Sequence, residues 1–137
     1  MRKFAFTATA AAVLLAACAS GSPSGSDYAP AAAAPAMPPL AMKGGMLVNS
    51  KGLTVYTFDK DVANSGKSMC NGDCSVKWPP VVAMASDAPQ GAFTIVARDD
   101  GRRQWAYMGK PVYTWPEDQE PGDKYGDNYL KVWHVVK

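Results

Sequence analysis

The chain has 137 residues, with 14 Lys and Arg against 12 Asp and Glu. A net charge of +2 and a pI of about 8.4 give no warrant for a polyanionic partner, so no nucleic acid is expected. The length allows one modest domain once a targeting segment is set aside, and the absence of a nucleophile elbow, a phosphate-cradling glycine loop, HExxH and a dinucleotide fingerprint excludes the enzymes that rely on them.

Residues 1–17 read as a secretion signal. Arg2 and Lys3 give the positive start, and Ala8 to Ala17 form an apolar core too short to span a bilayer. The segment ends in Leu15-Ala16-Ala17-Cys18, which resembles a lipobox; Cys18 would be acylated and become the first mature residue. The rival reading is an ordinary signal that leaves Cys18 as a spare thiol. An unpaired thiol at a cleavage point is a liability in an oxidising compartment, which favours lipidation. Cleavage removes two of the 14 basic residues and no acid, leaving 12 of each. Membrane attachment would then come from the acyl chains, each buried methylene contributing about 0.8 kcal/mol. In a Gram-negative host, Ala19 after Cys18 implies sorting to the outer membrane, facing the periplasm. Residues 18–42 form an Ala/Pro/Ser/Gly linker whose only charge is Asp27, and such a composition cannot bury enough apolar surface to offset its ordering entropy.

Residues 43–137 read as β throughout. Met46 to Ser50 and Leu53 to Phe58 flank Lys51-Gly52, and Phe93 to Asp99 and Arg103 to Met108 flank Asp100-Gly101, a hairpin signal. Pro111 to Trp115 and a long Tyr129 to Val136 follow, and Trp78 to Met84 is a further strand weakened by Pro79 and Pro80. No window longer than a turn or two keeps a helical apolar period. About seven strands in this length predict an all-β barrel or sandwich. Within Leu53 to Phe58 both alternating faces carry apolar side chains, which predicts a central strand covered on both sides.

Gly52-Leu53-Thr54-Val55-Tyr56-Thr57-Phe58-Asp59-Lys60-Asp61 returns at one offset as Gly109-Lys110-Pro111-Val112-Tyr113-Thr114-Trp115-Pro116-Glu117-Asp118. Gly, Val, Tyr, Thr, an aromatic and the last Asp all match. Gly72-Asp73 is echoed by Gly126-Asp127, and Lys77-Trp78-Pro79-Pro80-Val81-Val82 loosely by Val132-Trp133-His134-Val135-Val136. The domain therefore reads as two related halves. At these residues the chain resembles the bacterial lipoproteins that carry a repeated Yx(FWY)xxD motif, filled once by Tyr56, Phe58 and Asp61 and again by Tyr113, Trp115 and Asp118. The resemblance covers about Lys43 to Lys137. It implies an envelope lipoprotein with a repeat and brings no assigned activity.

Several residues are open to more than one chemistry. Asp61 and Asp118 either accept hydrogen bonds from backbone N–H groups or a tyrosine hydroxyl, or form a carboxylate pair that would act on a glycan. The first is favoured, because duplicated residues start in equivalent surroundings whereas an acid and a base need different ones. Cys70 and Cys74 are expected to form a disulfide, with a redox dithiol or metal ligands as rivals. His134, placed by alternation on an inward face with Leu130, Val132 and Val136, is either a buried hydrogen-bonded histidine or, with methionine thioethers, part of a copper or haem-iron site. The acidic stretch Glu117 to Asn128 reads as a loop whose Pro121-Gly122 and Gly126 are ordinary turn formers, with calcium the rival, and the Arg98, Arg102, Arg103 cluster as a solvated hairpin tip. The expectation is a lipid-anchored, non-catalytic binding or structural module with no cofactor. Metal or redox carriage and glycan cleavage are the alternatives.

Overall fold

The computed structural model of the protein describes residues 37–137. The expected signal segment, Cys18 and the expected linker up to Ala36 lie outside the described residues. The strands are β1 (Leu40–Lys43), β2 (Met46–Asn49), β3 (Val55–Phe58), β4 (Phe93–Ala97), β5 (Arg103–Tyr107), β6 (Lys110–Pro111), β7 (Tyr113–Thr114) and β8 (Trp133–Val135), with one short helix, α1 (Asp73–Lys77). They form three sheets, β1-β2, β7-β3-β8 and β4-β5-β6, joined by isolated bridges such as Val82 to Gln104 and Pro80 to Tyr113. The fold is all-β, as the alternation predicts, but the strands do not close into a barrel.

The duplication is visible in the pairing itself. β3 and β7 run antiparallel with Tyr56 directly opposite Tyr113, the equivalent residue of the other copy. Antiparallel pairing of a residue with its own equivalent requires a local twofold axis between them. The neighbouring bonds obey it. Val81 N–H donates to Val112 O at 3.1 Å and Val136 N–H to Val55 O at 3.4 Å; Trp105 N–H donates to Val81 O at 2.8 Å and Leu47 N–H to Val136 O at 2.9 Å. Tyr56 faces Val135 across β8 while Tyr113 faces Pro80.

β3 is the middle strand of its sheet and is covered on both faces. Alternation sends Val55 into one apolar cluster with Leu47, Trp105, Val112 and Val136, and sends Tyr56 and Phe58 into a second with Trp78, Tyr113 and Trp133. The second cluster is built around a stack of four rings in the order Phe58, Trp133, Trp78, Trp115. Trp133 and Trp78 lie at the centre, 3.9 Å apart and nearly parallel at 7°, with Phe58 on Trp133 at 4.3 Å and Trp115 on Trp78 at 4.4 Å. Each outer ring belongs to one copy and rests on the Trp of the other. Tyr56 meets Trp78, and Tyr113 meets Trp133, edge-on. Burying such rings stabilises a small domain by about 1.5–3 kcal/mol each.

Several elements differ from expectation. β1 takes in Leu40, Ala41 and Met42, which composition placed in the linker; Leu40 is in the core, and one apolar residue in a Pro/Ala run is too little periodicity to signal a strand. Trp78 to Met84 contributes bridges rather than a strand, because Pro79 and Pro80 have no N–H to give a ladder. Tyr129 to Val136 breaks into a 3-10 turn at Tyr129–Lys131 and the three residues of β8. The Asp100-Gly101 hairpin does join β4 to β5, but its loop runs from Arg98 to Arg102 and only Gly101 takes a positive φ, of 82°.

Gly126 is required by packing. A Cβ there would lie 2.6 Å from the Trp78 ring and 3.1 Å from that of Trp115. Gly126→Ala is expected to lower the unfolding free energy by about 1–3 kcal/mol, as overpacked sites do, measured by urea titration of tryptophan fluorescence.

Candidate functional site

The motif side chains of the two copies meet at the twofold axis and exchange partners. The Tyr56 hydroxyl donates to Asp118 Oδ2 at 2.5 Å, and the Tyr113 hydroxyl donates to Asp61 Oδ2 at 2.6 Å. Each tyrosine therefore bonds the aspartate of the other copy. Each aspartate uses its second oxygen to fix its own loop: Met69 N–H donates to Asp61 Oδ1 at 2.6 Å and Tyr125 N–H to Asp118 Oδ1 at 2.9 Å. The turns that deliver them also match, with Asp61 N–H bonded to Phe58 O and Asp118 N–H to Trp115 O, both at 3.0 Å. All four residues are buried. Both kinds of bond that the hydrogen-bonded reading of the motif expects, from a tyrosine hydroxyl and from backbone N–H, are present.

The two centres are not identical. Tyr56 oxygen accepts from Gly126 N–H at 3.3 Å. Tyr113 oxygen is 2.6 Å from Ser68 Oγ, which accepts from the Arg98 guanidinium at 3.0 Å. Arg98 also donates to Gln104 Oε1 at 2.8 Å, Cys70 O at 2.7 Å and Asp100 Oδ2 at 3.0 Å. A chain of bonds thus runs from a buried cation through Ser68 and Tyr113 to Asp61, each bond polarising the next. Arg98 is only 4 % exposed, so it is not part of a solvated hairpin tip. Arg102, at the surface, shares Asp100 with it. Nothing in the spacing of Ser68, Arg98 and Gln104 signals this network; an arginine beside two aspartates reads as surface until the fold turns it inward.

Burial, and then the bonded carboxylates, push the Tyr56 and Tyr113 phenols well above their ordinary range, so both remain protonated donors. Burial raises the Asp61 carboxyl above its usual 3.8, opposed by the bonds from Tyr113 and Met69 N–H and by the charges of Lys110 and Arg98. Asp100 is displaced in the opposite direction, held low by Arg102 first and Arg98 second.

The remaining expected positions resolve individually. Cys70 and Cys74 form the disulfide, with Cα atoms 5.2 Å apart. His134 is partly exposed rather than inward, because β8 begins only at Trp133 and turns Trp133 and Val135 to the core; its Nε2 lies 2.9 Å from Asp59 Oδ2. In the acidic loop, Asp123 Oδ2 accepts from Gln119 and Glu120 N–H at 3.0 Å each, and Asp127 Oδ1 from Val135 N–H at 3.1 Å. Asp123 thus closes a turn and Asp127 ties the loop to β8, and no cluster of three or more His, Cys, Asp or Glu able to hold a metal occurs among the described residues.

Fold and site together define an internally duplicated all-β module whose halves are locked by exchanged tyrosine–aspartate bonds. The family described as a secreted repeat of unknown function matches residues 41–82 and 94–137, one match per half, and the chain belongs to that family. No curated protein and no solved structure matches the chain. No helix among the described residues is long and apolar enough to cross a membrane.

Two outcomes are expected. In double-mutant cycles, Tyr56→Phe with Asp118→Ala and Tyr113→Phe with Asp61→Ala should show coupling, while the within-copy pairs Tyr56/Asp61 and Tyr113/Asp118 should be additive; each Asp→Ala should cost about 1–3 kcal/mol through unpaired buried donors. The second concerns acid. A folded-state carboxyl raised above 3.8 binds its proton more tightly folded than unfolded, so Asp61 adds stability below that pH and withdraws it as pH rises through the folded value. The difference in urea midpoint between wild type and Asp61→Asn should therefore change across this window and be flat above it.

Proposed function

We propose that this secreted repeat protein is a lipid-anchored component of the cell envelope, and that its domain is a non-catalytic binding or structural module. The observation that carries the reading is the crossed exchange of tyrosine and aspartate between the copies. A general acid or base must reach the proton it moves, whereas both oxygens of Asp61 and of Asp118 are committed to a tyrosine and a backbone N–H behind buried surfaces. The most chemically capable residues of the repeat are thus used to join its halves. The anchor follows from the lipobox-like Leu15-Ala16-Ala17-Cys18, and the disulfide between Cys70 and Cys74 suits an oxidising envelope compartment. In a Gram-negative cell the anchor would sit in the outer membrane.

Mature protein is expected to partition into the detergent phase and to carry the mass of acyl chains on Cys18, and Cys18→Ser to move to the aqueous phase. An unmodified Cys18 in the native protein would refute the anchor. Turnover of a cell-wall glycan by the purified protein, abolished by Asp61→Asn at unchanged stability, would refute the non-catalytic reading.

A further inference from the structure

The aromatic stack is flanked unequally along its length. Tyr129 packs against Trp115 at 5.1 Å and edge-on to Trp78 at 5.8 Å, and it also lines the cavity described next. Phe58 has one ring partner among the described residues, Trp133. The copies differ in sequence at this point: four residues before Trp133 stands Tyr129, and four before Trp78 stands the much smaller Cys74. A cavity of about 520 Å3 opens against Phe58, Trp78 and Trp133, within the size range of small-molecule sites. Its walls are largely apolar, and the charged residues that line it are Lys60 and Lys77, with no carboxylate among the lining residues.

Backbone strain collects on the same rim. Asn128, Leu130 and Lys131 have φ of 62°, 49° and 59°, a left-handed region that is sterically unfavourable for residues with a Cβ. Leu130 lines the cavity and is 74 % exposed. It therefore forgoes both a relaxed backbone and burial. The arrangement is nonetheless held: Lys131 N–H bonds Asn128 O at 3.0 Å, Val132 N–H bonds Tyr129 O at 3.1 Å, and Asn128 N–H bonds Trp133 O at 2.8 Å. On the facing side, α1 carries Lys77 and is tied to the preceding loop through the Cys70–Cys74 disulfide. A strained, exposed apolar side chain fixed over an aromatic wall is a feature that stability alone does not favour.

We propose that this cavity binds a small amphiphilic anion, its flat apolar body lying against Phe58, Trp133 and Leu130 and its acidic group paired with Lys60 and Lys77. The aromatic wall that Phe58, Trp78, Trp133 and Tyr129 form suits a flat apolar body. Two cations in a lining that holds no carboxylate suit a carboxylate or sulfonate. The proposal rests on the domain being a binding module and gives it a ligand class.

The test uses the full chain with Cys18→Ser, so that no detergent competes, titrated with anilinonaphthalene sulfonate as the anionic probe and phenylnaphthylamine as its neutral counterpart. Saturable binding of the anion with energy transfer from tryptophan is expected. Lys60→Gln combined with Lys77→Gln should weaken the anionic probe about tenfold and leave the neutral one unchanged. Leu130→Gly should weaken both by about tenfold while raising Tm, because glycine relieves the positive φ. Absence of saturable binding would overturn the proposal. So would unchanged anion affinity in the double lysine variant, or a Leu130→Gly chain with lowered Tm and unchanged binding. None of these results depends on glycan turnover or on detergent partition of the native protein, so failure here is distinguishable from failure of the non-catalytic module and of the anchor.

Discussion

Everything in this domain depends on the antiparallel meeting of Tyr56 and Tyr113 and on the exchange of carboxylates that follows from it. Because the two strands cross at their equivalent tyrosines, each hydroxyl is carried past its own loop and into that of the other copy. An intact half would hold a buried tyrosine hydroxyl with no acceptor and a buried carboxylate with no side-chain donor. Leaving such groups unpaired costs about 1–3 kcal/mol apiece, more for a charge. The halves are therefore complementary parts of one cooperative unit, and neither is a small domain that merely docks on the other.

The aromatic stack obeys the same logic in apolar terms. Phe58 of one copy rests on Trp133 of the other, and Trp115 on Trp78, so the rings that each half could bury by itself are few. In a chain this short there is little core to spare, and interleaving the two copies makes one continuous apolar cluster out of two insufficient ones. The order of the stack also explains Gly126, whose missing side chain is the space occupied by Trp78 and Trp115, and whose N–H satisfies the Tyr56 oxygen. The other copy meets that second requirement differently, with Ser68 backed by the buried Arg98. A single ancestral arrangement has thus acquired two distinct supports.

How much of this was legible in the sequence follows from the range of the interactions. The motif strand, its two apolar faces and its central place depend on a period of two residues and are readable from Leu53 to Phe58 alone. The repeat, and that Asp61 and Asp118 serve as hydrogen-bond acceptors, followed from one offset and from the environment that duplication imposes. The partner of each aspartate was not readable, because a sequence shows which residues are equivalent and not whether they bond within a copy or across the axis. His134 failed for a local reason. Alternation from Tyr129 puts it inward, whereas positive φ at Leu130 and Lys131 breaks that strand; the short β8 turns Trp133 and Val135 into the second cluster, and of its other face Val136 reaches the core while His134 stays partly exposed. Arg98 failed because burial of a guanidinium depends on Ser68, Cys70 and Gln104, which converge only in the fold.

The asymmetries between the copies carry a different meaning from their likenesses. Residues shared by both halves, the tyrosines, the aspartates and the central tryptophans, are buried and saturated by one another, which is what a joint between two copies demands. Residues that differ are released from that demand. Counted from the central tryptophans, Cys74 precedes Trp78 where Tyr129 precedes Trp133, and the cavity that both residues line is bordered by an exposed leucine on strained backbone and a pair of lysines. Duplication of a strand-forming unit sets up the frame twice, and the joint needs only the residues that the copies share. Beyond that joint the copies are free to diverge, and the apolar space beside Phe58 lies where the twofold relation fails.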